Sequence, residues 1–142
     1  MRQALARAEE AQAAGETPVG ALIVLDGDVI ASARNSPISL NDATAHAELL
    51  AIRKACAHVG NYRLEGATLY STLEPCVMCA GALVAARVSR LVYAARDLRF
   101  GAVRSKFRLA DSDLLNHRVE IVEGILAADS ARLLQAFFAA RR

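Results

Sequence analysis

An α/β fold, with helices on both faces of a five-stranded and mostly parallel sheet, is what this 142-residue sequence predicts. Three observations carry that expectation. Apolar residues recur at helical spacing in separate segments along the chain, and short β-type apolar runs stand between them. After an initial hairpin the elements alternate between helix and strand, and strand–helix–strand units pair in parallel through right-handed crossovers.

Taken in order, Ala4, Leu5, Ala8 and Ala11 form one stripe of a first helix that ends near Gly15. Val19 to Leu25 and Val29 to Ala33 are apolar runs joined by Asp26-Gly27-Asp28, which predicts an antiparallel edge hairpin. Asn35-Ser36-Pro37 and Asn41-Asp42 read as loop. Thr44 is the expected cap of a helix from about Ala45 to His58, with Leu49, Ile52, Ala55 and Cys56 on its buried face. Asn61 and Gly66 bracket the return to a strand over Ala67 to Leu73. Pro75 suits the first turn of a helix reaching about Arg87, where its missing N–H has no partner in any case. Leu91 to Ala94 and Val119 to Val122 read as strands, and a last helix from Asp129 or Ser130 turns Leu133, Leu134, Phe137 and Phe138 inward.

No repeat, linker or low-complexity tract interrupts residues 1–142, which read as one domain. A content of 54% hydrophobic residues with a net charge of +2 excludes a disordered chain. No run approaches the roughly 18 apolar residues of a membrane span, and the N-terminus has neither signal-peptide nor transit-peptide character. A cytoplasmic location is expected. In that compartment an odd count of three cysteines points to metal or catalytic use rather than a disulfide framework. A total of +2 announces no nucleic-acid partner by itself.

Two short motifs fall where α/β sheets bind ligands, at predicted helix N-termini beyond strand ends. His46-Ala47-Glu48 opens the second helix and Pro75-Cys76-Val77-Met78-Cys79 opens the third. Cys76 and Cys79 share one helical face and can grip one ion as thiolates, which the helix dipole favours there. His46 supplies a third ligand of the type zinc prefers. Three protein ligands leave one tetrahedral position open to water, the pattern of catalytic zinc, and bound water has its pKa lowered toward 7. Glu48 is the expected general base and acid. Residues two apart on a helix point to opposite sides, so His46 and Glu48 converge only at the helix end. Each motif alone has an ordinary reading: a cysteine pair packs a core, and His-x-Glu opens many solvated helices. A structural zinc with His58, His117 or Cys56 as fourth ligand is the metal-based rival.

His46-Ala47-Glu48 followed by Pro75-Cys76-x-x-Cys79 resembles the signature of zinc nucleobase deaminases. Thr17-Pro18-Val19-Gly20-Ala21, Asn61-Tyr62-Arg63-Leu64, Thr72-Leu73-Glu74, Ala95-Arg96-Asp97 and the closing Phe137-Phe138 with Arg141-Arg142 resemble the bacterial tRNA-specific adenosine deaminases in particular. The resemblance implies a cytidine-deaminase-like, three-layer α/β/α fold with a mixed five-stranded sheet. It implies hydrolytic conversion of adenosine to inosine at the wobble position of a tRNA anticodon loop, one Zn2+ per subunit, and a homodimer. It also implies that Asn35, Asp97 and Arg99 meet the RNA, and the placement of Ala47 between His46 and Glu48 leads to the expectation that its backbone holds the base edge. Asn35 has an equally ordinary reading as a turn residue bonding its own backbone. Ala43, Val103-Arg104 and Ser130 depart from the family's usual residues.

Arg96, Arg99, Arg104, Lys106 and Arg108 lie in one stretch with Phe100 and Phe107, a pattern suited to phosphates and unpaired bases, although a solvated loop has the same composition. Two other functions are open to this sequence. One is deamination of a free base or nucleoside, guanine or cytosine, which needs no basic segment. The other is a catalytically silent RNA-binding module, which needs no Glu48.

Overall fold

The computed structural model describes residues 1–142. Its elements are α1 (Arg2–Ala13), β1 (Gly20–Leu25), β2 (Asp28–Arg34), α2 (Pro37–Leu40), α3 (Ala47–Val59), β3 (Thr68–Leu73), α4 (Val77–Ala85), β4 (Arg90–Ala95), β5 (Glu120–Glu123) and α5 (Ala127–Ala139). The strands form one five-stranded sheet in the order β2-β1-β3-β4-β5. No helix is long and apolar enough to cross a membrane.

The sheet is mixed, as the resemblance implies, and less parallel than the element order suggests. β3–β4 and β4–β5 pair in parallel, whereas β1 is antiparallel to β2 and to β3. The crossover β2–α3–β3 does join two strands of the same direction, but β1 lies between them. The hairpin turn forms at Asp26 and Gly27, both at positive φ, which suits the twist of a two-residue connection.

Close helix–sheet packing positions the layers. α1 buries only Ala4, Ala8 and Ala11, and Gly20 of β1 faces it directly. Side chains alternate along a strand, so Ala21 and Ile23 point the other way, into a core of 22 buried residues that includes Ala47, Ala51, Ile52 and Ala55 of α3. α5 packs on β3 and β4 beside α1, and its Ser130 hydroxyl donates to the Thr72 carbonyl at 2.5 Å. α4 lies against α3.

The helix ends differ from expectation in ways that matter for the site. α3 starts at Ala47 with His46 as N-cap; Thr44 instead gives its amide and hydroxyl protons to Asp42 Oδ1. Its buried face is made by Ala47, Glu48, Ala51, Ile52 and Ala55, leaving Leu49 and Cys56 half-buried. Pro75 precedes α4 rather than opening it, and Cys76 is the N-cap. The segment expected to be loop contains the short α2, whose Ser39 donates its amide at 2.6 Å and its hydroxyl at 2.9 Å to the buried Glu16 carboxylate. α5 buries Phe137 but leaves Phe138 47% exposed, with Leu133 and Leu134 half-buried.

A Cβ on Gly20 would stand 2.0 Å from the Ala4 carbonyl oxygen and 2.7 Å from the Ala8 nitrogen, both backbone atoms that cannot swing aside. Gly20→Ala is therefore expected to cost about 3 kcal/mol of stability, the upper end for overpacking, read as a lower urea midpoint at unchanged slope.

Candidate active site

Residue Leu73 at the end of β3 pairs with Ala95 at the end of β4, and the Glu74 amide donates to the Ala95 carbonyl at 2.8 Å. The two parallel strands thus finish together. One leads into the N-terminus of α4, the other into the segment 96–108, and the N-terminus of α3 arrives at the same edge. His46 caps α3 and Cys76 caps α4, while Cys79 lies within the first turn of α4, fully buried. His46 Nδ1 is 3.5 Å from Cys76 Sγ and 3.7 Å from Cys79 Sγ. The three ligand atoms all lie within 4.8 Å of one another. An ion bonded tetrahedrally at roughly 2.3 Å to sulfur and 2.0–2.1 Å to nitrogen holds those two atoms about 3.6 Å apart, so the trio fits such an ion.

The protonation states of the trio are mutually dependent. The Cys76 thiol is held down to about 4 by the hydrogen bond from Cys79 and by His46, against the opposing effect of burial. Cys79, the donor of that bond, is pushed up by it, by burial and by the charge of Glu48. His46 is raised, chiefly by its hydrogen bond to Cys76. A divalent cation would replace the protons these groups share, because metal binding releases protons from its ligands.

Glu48 is 4% exposed and sits in the first turn of α3 with the Ser71 hydroxyl beside it. Burial pushes its carboxyl up to about 7, a value suited to moving protons at neutral pH. His46, Glu48 and Cys76 open onto a cavity of about 640 Å³. Asn35, Asp97 and Arg99 line the same cavity, together with Leu73, Leu98, Phe100, Leu134 and Phe138. Ala47 does not: its side chain is fully buried in the core, so only its backbone is available to a ligand.

The rival metal ligands stand apart from the trio. His117 Nε2 is 2.7 Å from the Val88 carbonyl, Cys56 Sγ is 3.6 Å from the Tyr62 carbonyl, and His58 is exposed near the end of α3. The basic stretch is also more constrained than its composition suggests. Arg96 makes a two-pronged ion pair with Glu123, and Arg104 and Arg108 both grip Asp111. Arg99 stands over the Phe100 ring, 5.4 Å from its centroid.

Sequence reasoning missed Glu74, Ser71, and the cavity-lining role of Leu134 and Phe138. Glu74 is 2% exposed; burial opposes its charge, but hydrogen bonds from Ser105 and from the amides of Arg104 and Asp97 hold its pKa below the usual carboxylate value. The one available signal was its place between a strand end and the Pro75-Cys76 turn.

The whole chain, residues 1–142, matches the MafB19-like deaminase family. A tRNA-specific adenosine deaminase of Agrobacterium fabrum is 46% identical over 142 residues, covering 100% of this chain and 93% of that one. A solved structure from work on A-to-I editing by tRNA:A34 deaminases at the wobble position of transfer RNA superposes with a TM-score of 0.91 at 46% identity, covering 94% of this chain and 97% of the other. A guanine deaminase of Bacillus subtilis is similar at a TM-score of 0.67 and 36% identity, over 99% and 90% of the two chains. The chain belongs to the MafB19-like deaminase family and, by relatives of near-equal length, to the tRNA-specific adenosine deaminases.

Proposed function

We propose that this protein hydrolyses the wobble adenosine of a tRNA anticodon loop to inosine, releasing ammonia, and that residues 1–142 do so as one deaminase domain. The observation that carries the reading is the buried Glu48 carboxyl beside the His46–Cys76–Cys79 trio, at the floor of a cavity whose rim is the segment 97–100. Zn2+ held by the trio would supply a water of lowered pKa and a Lewis acid at the reacting carbon. Glu48 takes one proton from the attacking water and passes it to N1 of adenine as the water oxygen bonds C6. It then takes the remaining hydroxyl proton and gives it to the amino nitrogen, whose bond to C6 breaks to release ammonia. Burial, which pushes the Glu48 carboxyl above the ordinary carboxylate range, suits it to exchanging protons rather than staying a fixed anion. Asn35 borders the cavity where it can meet the base edge, and Asp97 and Arg99 where they can meet the flanking nucleotides. An open, partly apolar wall of Leu98, Phe100, Leu134 and Phe138 suits a base extruded from a splayed loop. Three unpaired cysteines support a cytoplasmic location.

The likeness to a guanine deaminase supports a second reading, hydrolysis of a free base. Both are tested by incubating the protein with tRNA carrying adenosine at the wobble position, and separately with adenosine, guanine and cytosine. Inosine in the tRNA is the expected product, and ammonia from guanine or cytosine alone would overturn the leading reading. Glu48→Gln is expected to lose about 10²–10⁴ of the turnover while keeping its metal, since that is what general acid–base catalysis contributes. Cys76→Ala should lose activity and metal together, measured by atomic absorption.

A homodimer is part of the same proposal. α4 exposes Val77, Gly81 and Ala85 on one stripe, and the exposed Val59 and Tyr62 lie at and beyond the end of α3, which α4 packs against. Gly81 is exposed, and a Cβ there has no neighbour within 4 Å from elsewhere in the chain. Gly81→Arg should therefore fold normally but sediment at the 15.1 kDa of one chain, whereas the unaltered protein sediments at twice that mass. A monomeric unaltered protein would remove the dimer.

A further inference from the structure

We infer that Glu74 is a positioning residue for the nucleic-acid substrate, folding residues 97–105 into the cavity rim from the same turn that carries Cys76. The inference rests on the tRNA reading above and names a residue which that reading does not use.

One carboxylate collects five donors. Oε1 accepts the amides of Val103 at 3.1 Å, Arg104 at 2.6 Å and Ser105 at 2.8 Å. Oε2 accepts the Asp97 amide at 3.0 Å and the Ser105 hydroxyl at 2.5 Å. The fit leaves no spare room: a Cβ on Gly101 would stand 2.3 Å from Oε2 and 2.5 Å from the Asp97 carbonyl oxygen. The loop is further tied to the metal turn by the Ala102 amide, which donates to the Pro75 carbonyl at 2.8 Å.

The contacts lead to the substrate side of the cavity. Glu74 fixes the Asp97 backbone, and Asp97 Oδ1 in turn accepts the amides of Arg99 at 3.0 Å and Phe100 at 3.1 Å. Arg99 and Phe100, stacked on each other, line the cavity. From outside, Arg104 is locked to Asp111 by two guanidinium contacts at 3.0 Å each, so the loop is braced on both sides. Every donor around Glu74 is an N–H or O–H, and only an anionic, acceptor-only side chain satisfies them all. A glutamine of the same shape turns an amide N–H₂ toward other donors and loosens the rim without emptying the space. None of the five contacts involves His46, Cys79 or Glu48.

The expected signature is a split between binding and chemistry. With wobble-adenosine tRNA, Glu74→Gln should raise KM about tenfold, the scale of a hydrogen bond to a charged group, while kcat stays within about threefold and metal content is unchanged. Gly101→Ala should show the same split, and the double variant should be no worse than the more impaired single one. Ser105→Ala removes one hydroxyl donor and should raise KM by about threefold; it decides the matter if Glu74→Gln does not fold. An unchanged KM in Ser105→Ala and Glu74→Gln, or a loss of metal or kcat with KM unmoved, overturns the inference. Wild-type protein assayed in parallel separates the two claims: if it leaves tRNA untouched, the functional reading fails and takes this one with it, whereas wild-type turnover with variant KM unmoved sinks this one alone.

Discussion

Two helix N-termini, those of α3 and α4, converge where the parallel strands β3 and β4 end, and the site depends on that convergence. It gathers His46, Cys76, Cys79 and Glu48 into one largely buried group. Burying a carboxylate and two thiolates without a countercharge is costly. Without a cation the cost is met by sharing protons: Cys76 is held low, Cys79 is pushed up, and Glu48 rises to about 7. The positive ends of two helices reduce the cost further but carry only partial charge. A divalent cation held by the three ligand atoms would remove the conflict outright.

Small side chains make the convergence possible. Ala4 and Ala8 of α1 lie against Gly20, and Ala47, Ala51 and Ala55 bring α3 onto the other face of the sheet. Close approach holds the start of α3 at a fixed depth relative to the end of β3. Larger core residues would lift the helix and move His46 with it. Alanine richness, which by composition alone looks like a weak core, is better understood as what sets the site's geometry.

The architecture and the grouping of His46, Cys76 and Cys79 were legible because periodicity and paired ligand motifs are local signals. Most errors came where a distant partner decides. Thr44 is the local exception: a good cap by propensity, it gives its protons to Asp42 two residues earlier, and His46 caps α3 instead. The crossover direction was right, but nothing local to β1 says that it sits between β2 and β3. Phe138 has the spacing of a core residue and instead borders the cavity, because α5 covers only the β3–β4 part of the sheet. The basic stretch looked like free charge because Glu123 lies 27 positions from Arg96. Glu74 carries no periodic signal, and its five donors come from residues 23 to 31 positions away.

Those ion pairs change what kind of recognition the rim can offer. Guanidinium groups already fixed on Asp111 and Glu123 contribute less to phosphate binding than free ones, since each must be shared with or withdrawn from its carboxylate. Arg99, stacked on Phe100, and Lys106 are the basic side chains of the segment with no ion-pair partner in the fold. In this rim the buried Glu74 carboxylate holds the backbone through five donors, and few unpaired cations remain. Val103-Arg104 fits that logic. Val103 is fully buried while Arg104 reaches out to Asp111, so the two residues brace the loop from inside and outside.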